Sequence, residues 1–347
     1  DGEPDHDNPI LPNESDLPID PSTDVPAGYS ADQRDVPGGF TGDPDVLDTW
    51  ATSSLSPHTA SKWEESDTLF SQVFPMDMRP QGHDIIRTWL FSSMVRSHHE
   101  HQEIPWQHAA LSGWILDPDR KKMSKSKGNV VTPMALFESY GTDAVRYWAA
   151  SARPGVDTAF SEDQMKVGRK LANKLLNITR FVHGFGSAPT NDVALNAVDA
   201  SMLSRLDAVI AEATTAFEEF DYARALERTE SFFWWFCDDY VELVKSRAYD
   251  TEHEHQSSAL LALHTAVTTL QRLFAPLIPF ATEEAWRWDN ETSIHISSWP
   301  TTTNVNGDSE LLSPILDALA QVRRAKTEAK VSQRAVVESV TVSVPSG

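Results

Sequence analysis

The sequence has 347 residues, 40% of them hydrophobic, enough for two domains of ordinary size with buried cores. Its formal net charge of −22 argues against a protein that grips nucleic acid through a global positive field, while leaving room for an RNA partner met by local basic groups. One cysteine, Cys237, excludes an intrachain disulfide framework and a multi-cysteine zinc ribbon, and no apolar run approaches a membrane span.

Residues 1–40 are rich in Pro, Asp, Asn and Gly with little apolar periodicity, and read as an irregular segment. The opening Asp1-Gly2-Glu3-Pro4-Asp5 is neither a signal peptide nor a plausible translation start, so the sequence is expected to begin inside a longer protein. From 41 to 160 short apolar runs alternate with helical patterns. Trp89-Leu90-Phe91 with Met94-Val95 predicts a helix facing a core, and Ala109 to Leu116 predicts a buried strand. Thr132-Pro133 supplies a helix N-cap and a first-turn proline, Gly141 a helix end, and Thr142 or Asp143 the next start.

From 161 to 300 the pattern is one of long helices. Ser161-Glu162-Asp163-Gln164 has the capping-box form, and Val167, Leu171, Leu175, Ile178 and Val182 mark one apolar face. Leu203, Leu206, Ile210, Ala213 and Phe217 make a second stripe, Tyr222, Leu226, Phe233, Phe236 and Tyr240 a third, and 257–274 a fourth helix. Pro276 and Pro279 should break that helix, with Thr282 capping the next. Cys237 falls in an apolar run, where packing is its expected role. The alternation Ser293 to Ser297 predicts a short strand. In 301–347, Leu312, Ile315, Leu319 and Val322 predict an amphipathic helix, and Val336 to Val344 a half-exposed strand that looks truncated. The fold class is α/β followed by an all-α, antiparallel helical bundle.

The chemistry-bearing segment is Lys121 to Asn129, with four lysines, two serines and a glycine directly after an apolar run. Lysines on such a loop can close over a triphosphate and neutralise charge that develops on departing pyrophosphate. A solvated turn is the ordinary reading of a charge run, and context decides between the two. His98-His99-Glu100-His101 and His253-Glu254-His255 could supply metal ligands, but adjacent residues diverge on a helix, so no metal and no zinc is expected.

Lys122-Met123-Ser124-Lys125-Ser126 reproduces the signature loop of class I aminoacyl-tRNA synthetases. Asp45 to Trp50, Gly82 to Ile86, Tyr140 to Arg146 and Phe160-Ser161-Glu162 follow in the order seen in their valyl, isoleucyl and leucyl branch. The chain resembles the valyl enzymes of that branch, of the actinobacterial kind, from about residue 41 onward. The resemblance implies the C-terminal half of a Rossmann-like catalytic domain at 41–160 and an anticodon-binding bundle at 161–300. It makes 1–40 the return from an inserted editing domain. It further implies ATP with Mg²⁺, valine and tRNA(Val) as partners, a cytoplasmic location, and valine–tRNA ligation as the activity.

On this resemblance Lys125 and Lys122 stabilise the transition state, and Met123, Ser124, Ser126 and Gly113 join them around ATP. Trp50 and Ile85 line the substrate side chain, and Asp84 holds its ammonium. Arg169 and Lys170 are candidates for tRNA contact. The sequence departs from the pattern at Ala51, and at Ser112-Gly113, where many relatives have His-Gly. It holds no His-Ile-Gly-His type signature and no editing domain, so it is expected to carry half an active site, with the missing N-terminal half as a partner. Two alternatives stay open: a tRNA-binding module without catalysis, and isoleucine in place of valine.

Overall fold

The computed structural model describes residues 3–45, 48–123, 128–189, 193–332 and 335–341. Packing divides the chain into two units, Asp1–Ala109 and Ala110–Gly347.

In the first unit, residues 3–40 form two single-turn 3-10 helices, Glu14–Asp16 and Ala31–Gln33, and otherwise irregular chain. Arg34 ties this stretch together by donating to the carbonyls of Pro21 (2.9 Å) and Asp24 (2.6 Å). The elements that follow are α1 (Thr49–Ser53), α2 (Ser56–Ala60), α3 (Asp67–Val73), β1 (Met76–Gly82) and α4 (Phe91–His101). A strand β2 (Trp106–Ser112) pairs with β1 and runs on past the end of the unit. Asp48 caps α1 by accepting from the Trp50 amide, and Ser66 caps α3 through the Leu69 amide.

The expected helix at Trp89 to Val95 is present, with Trp89, Leu90 and Met94 partly buried, but Phe91 is 59% and Val95 37% exposed. The buried side chains of α4 are Ser93 and Ser97. Their small size lets the helix pack closely, and their hydroxyls donate to Trp89 O and Glu103 O, both at 2.8 Å. Nearby, the buried Arg79 guanidinium lies 3.4 Å from the Trp89 ring centroid and 4.7 Å from that of Trp106.

The second unit contains β3 (Ile115–Leu116), α5 (Pro133–Tyr140), α6 (Thr142–Ala150) and β4 (Thr158–Ala159). Strands β3 and β4 are parallel, with Ile115 opposite Thr158 and Leu116 opposite Ala159. The buried strand expected over 109–116 is therefore two strands interrupted at Gly113-Trp114, and Ala109, Ser112 and Ile115 are exposed. The interruption has a steric cause. A Cβ on Gly113 would lie 2.3 Å from the Val156 carbonyl and 2.5 Å from the Asp157 amide nitrogen, so the chain approaches itself there as only glycine allows. Gly141, at φ +88°, separates α5 from α6 as expected.

Long helices follow: α7 (Glu162–His183), α8 (Ala197–Glu218), α9 (Tyr222–Trp235), α10 (Val241–Tyr249), α11 (Gln256–Phe274), α12 (Pro279–Trp286) and α13 (Leu312–Glu328). A π turn over Phe236–Tyr240 joins α9 to α10 without a break. Helices α7 to α11 share one apolar core in which Leu171, Leu175, Leu206, Phe233, Phe236, Tyr240, Leu263 and Phe274 are fully buried. Cys237 packs there too, its thiol pushed up to about 12 by burial.

Four expectations change in this unit. Val167 is 37% exposed, and Gly168 takes its place on the inner face, where a Cβ would meet the Tyr147 side chain at 2.5 Å. Thr282 lies inside α12 and returns its hydroxyl to Ile278 O (3.0 Å). The helix is capped instead by Asp143 of α6, whose carboxylate accepts from the amides of Phe280 (3.2 Å) and Ala281 (2.7 Å). The strand expected at 293–297 is a 3-10 turn, Ile294–Ile296, because the Glu283 carboxylate draws in the Ser293 hydroxyl (2.8 Å) and the Ile294 amide (2.9 Å). Of the strand expected at 336–344, residues 336–341 are irregular and the rest lie outside the described residues. In α13 Leu312 is fully buried, and Ile315, Leu319 and Val322 are partly buried, as their spacing predicts.

Candidate functional site

The residues singled out in the sequence fall into three places, one in the first unit and two in the second. In the first unit, Trp50 sits partly buried on α1, and Asp84 and Ile85 sit on the 3-10 turn His83–Ile85 that enters α4 through a π turn, Ile86–Leu90. The Trp89 indole donates to Ser53 O at 2.7 Å, fixing α1 beside that π turn. Trp50, Asp84 and Ile85 are thus carried by neighbouring segments. Asp84 folds back over Gly82, where a Cβ would lie 2.7 Å from Asp84 Oδ1.

The lysine loop is held at its base by Asp117, which is 7% exposed. One carboxylate oxygen accepts from the Lys121 amide at 2.7 Å, and the other accepts from Asn129 Nδ2 at 2.8 Å. The same carboxylate therefore joins the start and the end of the loop. These bonds hold its carboxyl below the usual carboxylate range, the Lys121 amide first and the Asn129 amide second. The Asp117 amide donates to Lys121 O (2.9 Å), and Leu116 and Lys122 form an antiparallel bridge. Lys122 Nζ lies 3.9 Å from the Trp114 ring centroid. Met123 is partly buried; Ser124, Lys125, Ser126 and Lys127 lie outside the described residues.

Arg169 and Lys170 are exposed on α7 and line an open groove of about 540 Å³ with Lys166, Asn173, Lys174, Asn177, Trp234 and Asp238. Arg169 donates to Ser139 O at 3.3 Å, and Lys170 Nζ stands 5.5 Å from the Trp234 ring centroid. Sequence reasoning missed Asp117, Trp114 and Trp234. Asp117 was available as an acid placed where an apolar strand gives way to a basic loop; Trp234 lay hidden in the aromatic run Phe232 to Phe236, which periodicity assigns wholly to a core.

Residues 24–161 match the family of tRNA synthetases class I (I, L, M and V), and residues 199–342 match the anticodon-binding domain of tRNA ligase. A solved structure with the same fold is the ternary complex of Agrobacterium radiobacter K84 agnB2 LeuRS with tRNA and LeuAMS. The TM-score is 0.63 at 20% identity, over 84% of this chain and 41% of that one. Among curated relatives, the valine–tRNA ligase of Thermobifida fusca (strain YX) is 57% identical over 98% of the chain, and that of Salinispora tropica is 56% identical over 98%. The valine–tRNA ligase of Cutibacterium acnes is 53% identical over 99%. The chain belongs to the valine–tRNA ligase family of class I tRNA synthetases. It spans only 40%, 42% and 40% of the length of those three relatives.

Proposed function

We propose that the chain serves valine–tRNA ligation, carrying the lysine loop, part of the valine pocket and the tRNA-binding helices of the enzyme. In this reading 41–160 is the second half of a Rossmann-like catalytic domain, 161–300 an antiparallel anticodon-binding bundle, 1–40 a return path from an insertion, and 301–347 a C-terminal helix and the start of a strand. The valine carboxylate attacks the α-phosphate of ATP and pyrophosphate leaves; a tRNA(Val) hydroxyl then attacks the carbonyl of the valyl-adenylate, and AMP leaves. Lys122 and Lys125 neutralise the charge that grows on the leaving group, and Met123, Ser124 and Ser126 complete the loop around the nucleotide. Asp117 positions that loop. The side of Gly113 away from Val156 is left for the adenine.

Trp50 and Ile85 bound the valine side chain, and Asp84 holds its ammonium. Such an apolar wall separates neighbouring aliphatic substrates by only about 1 to 3 kcal/mol per methylene. Mg²⁺ neutralises phosphate charge and enters on the nucleotide; no group of three or more His, Cys, Asp or Glu is placed to hold a metal among the described residues. Arg169 and Lys170 meet tRNA phosphates.

The observation that carries this reading is the 48–57% identity to valine–tRNA ligases over 98–100% of the chain. The test is valine-dependent ATP–pyrophosphate exchange by the chain alone and joined to the remaining length of its Thermobifida relative, with isoleucine and threonine alongside. Exchange in the joined protein that prefers valine and is lost in Lys125→Ala supports the reading. Preference for isoleucine reassigns the substrate. The absence of exchange in both forms, with tRNA binding kept, favours a binding module, a second reading supported by the basic groove on α7.

A further inference from the structure

We propose that the groove beside Trp234 is an RNA subsite in which one unstacked base lies against the indole while its flanking phosphates meet Lys170 and Arg169. This rests on the reading that RNA is a partner of the chain, and it adds the residues that read a nucleotide rather than only attract one.

Along α7, Lys166, Lys170, Asn173, Lys174 and Asn177 fall at helical spacings on one face and make a polar stripe about 16 Å long. Trp234, half-buried on α9, forms part of the groove lining. Its ring is fixed in place: the indole N–H donates to Glu230 Oε1 at 3.0 Å, and Glu230 Oε2 accepts the Tyr147 hydroxyl at 2.7 Å. An aromatic ring already held in one plane loses little freedom when a base stacks on it. The groove, at about 540 Å³, is roomy enough for a nucleotide.

Charge selects the centre of the stripe. Lys166 pairs with Asp163 at 2.8 Å and Lys174 with Asp238 at 3.0 Å, so the ends are neutralised. The side chains of Lys170, Asn173 and Asn177 make no hydrogen bond or ion pair among the described residues, and the Lys170 and Lys174 ammonium groups stand 5.5 and 6.0 Å from the Trp234 ring centroid, where a stacked base would displace them. Within the groove, Lys170 and Arg169 are the cations with no carboxylate partner among the described residues, Arg169 donating only to the Ser139 carbonyl, on a chain whose net charge is −22. The two carboxamides each offer a donor and an acceptor, the pattern needed by the edge of an unpaired base. A carboxylate-rich protein partner would satisfy the lysine but would leave the indole and the amides unused.

The test measures equilibrium binding of the chain to a tRNA transcript and to a blunt RNA duplex between 50 and 200 mM KCl, roughly the range over which phosphate contacts show their salt dependence. The transcript should bind more tightly than the duplex. Lys170→Ala should lower the slope of log affinity against log salt by about 0.7, the value of one single-strand phosphate. Asn173→Ala should weaken the transcript and not the duplex. Trp234→Leu should weaken the transcript about tenfold, with circular dichroism checking its fold; the exposed Lys170 and Asn173 variants carry the test independently of it. Transcript binding unchanged in Lys170→Ala and Asn173→Ala overturns the subsite and spares the RNA reading. Equal binding of duplex and transcript, or of polyglutamate, overturns it as a nucleotide-reading site. A wild-type chain that binds no RNA overturns both.

Discussion

His58 is 3% exposed, and both its ring nitrogens lack partners. It stacks on His101 at 5.1 Å and meets Trp63 at 5.2 Å and Phe74 at 5.5 Å, so its surroundings are those of a phenylalanine. Burial, followed by the charge of His101, pushes its pKa down, with Arg96 adding and Glu100 opposing. The folded state therefore binds fewer protons than the unfolded state between the lowered value and the free-histidine value near 6.5, and stability falls as pH drops through that window. His58→Phe should raise stability at pH 7 by about 1 kcal/mol by removing unpaired buried nitrogens, and should flatten the acid limb of a melting-temperature profile. A profile as steep as that of the wild type would place the acid sensitivity elsewhere. At this scale the sequence disclosed the residues of the loop but not what holds them. Asp117 and Asn129 are twelve positions apart, and their bond exists only once the chain has turned back on itself.

Helix starts set by local chemistry were legible, and those set from a distance were not. Ser161 accepts from the Gln164 amide as its capping-box spacing predicts, and Pro133 and Gly141 bound α5, although Thr132, expected to cap that helix, makes no side-chain cap bond. The stripe of α8 also follows from periodicity, because a core on one side imposes it. Thr282 had the right residue type for a cap, but Asp143, from another helix, supplies the bond. Likewise, alternation over only five residues could not separate a strand from the 3-10 turn that Glu283 imposes at 293–297. The segment Tyr140 to Arg146, read for its resemblance and for the helix boundary at Gly141, proves to be a docking element. Arg146 donates to Pro276 O (2.9 Å) and Leu277 O (3.3 Å), beside the cap that Asp143 makes. Asp143→Ala should cost about 1 to 2 kcal/mol in denaturant unfolding, and Asp143→Asn less, since one acceptor remains. Burial raises the Asp143 carboxyl above its usual range, so ionising it in the folded state opposes stability as pH rises through the raised value. The asparagine variant should lack that contribution.

For the whole molecule, the surplus of acid dominates. At low ionic strength, about 0.01 M, charges some 30 Å apart still interact, whereas at about 0.15 M the range shrinks to roughly 8 Å. A chain of net charge −22 should therefore melt a few degrees higher in the more concentrated salt, while the RNA affinity proposed for it falls; scanning calorimetry and binding isotherms in the same buffers check both. A rise in both would show that the phosphate contacts are not electrostatic. The cap of α12 adds a consequence for the order of assembly. Asp143 and Ala281 are 138 positions apart, so the first turn of α12 can be completed only after α6 has docked. Contacts spanning so much chain carry a large closure entropy and tend to form late. Removing the Asp143 carboxylate should then hasten unfolding while leaving the refolding rate nearly unchanged, which makes this bond a brake on opening rather than a guide to folding.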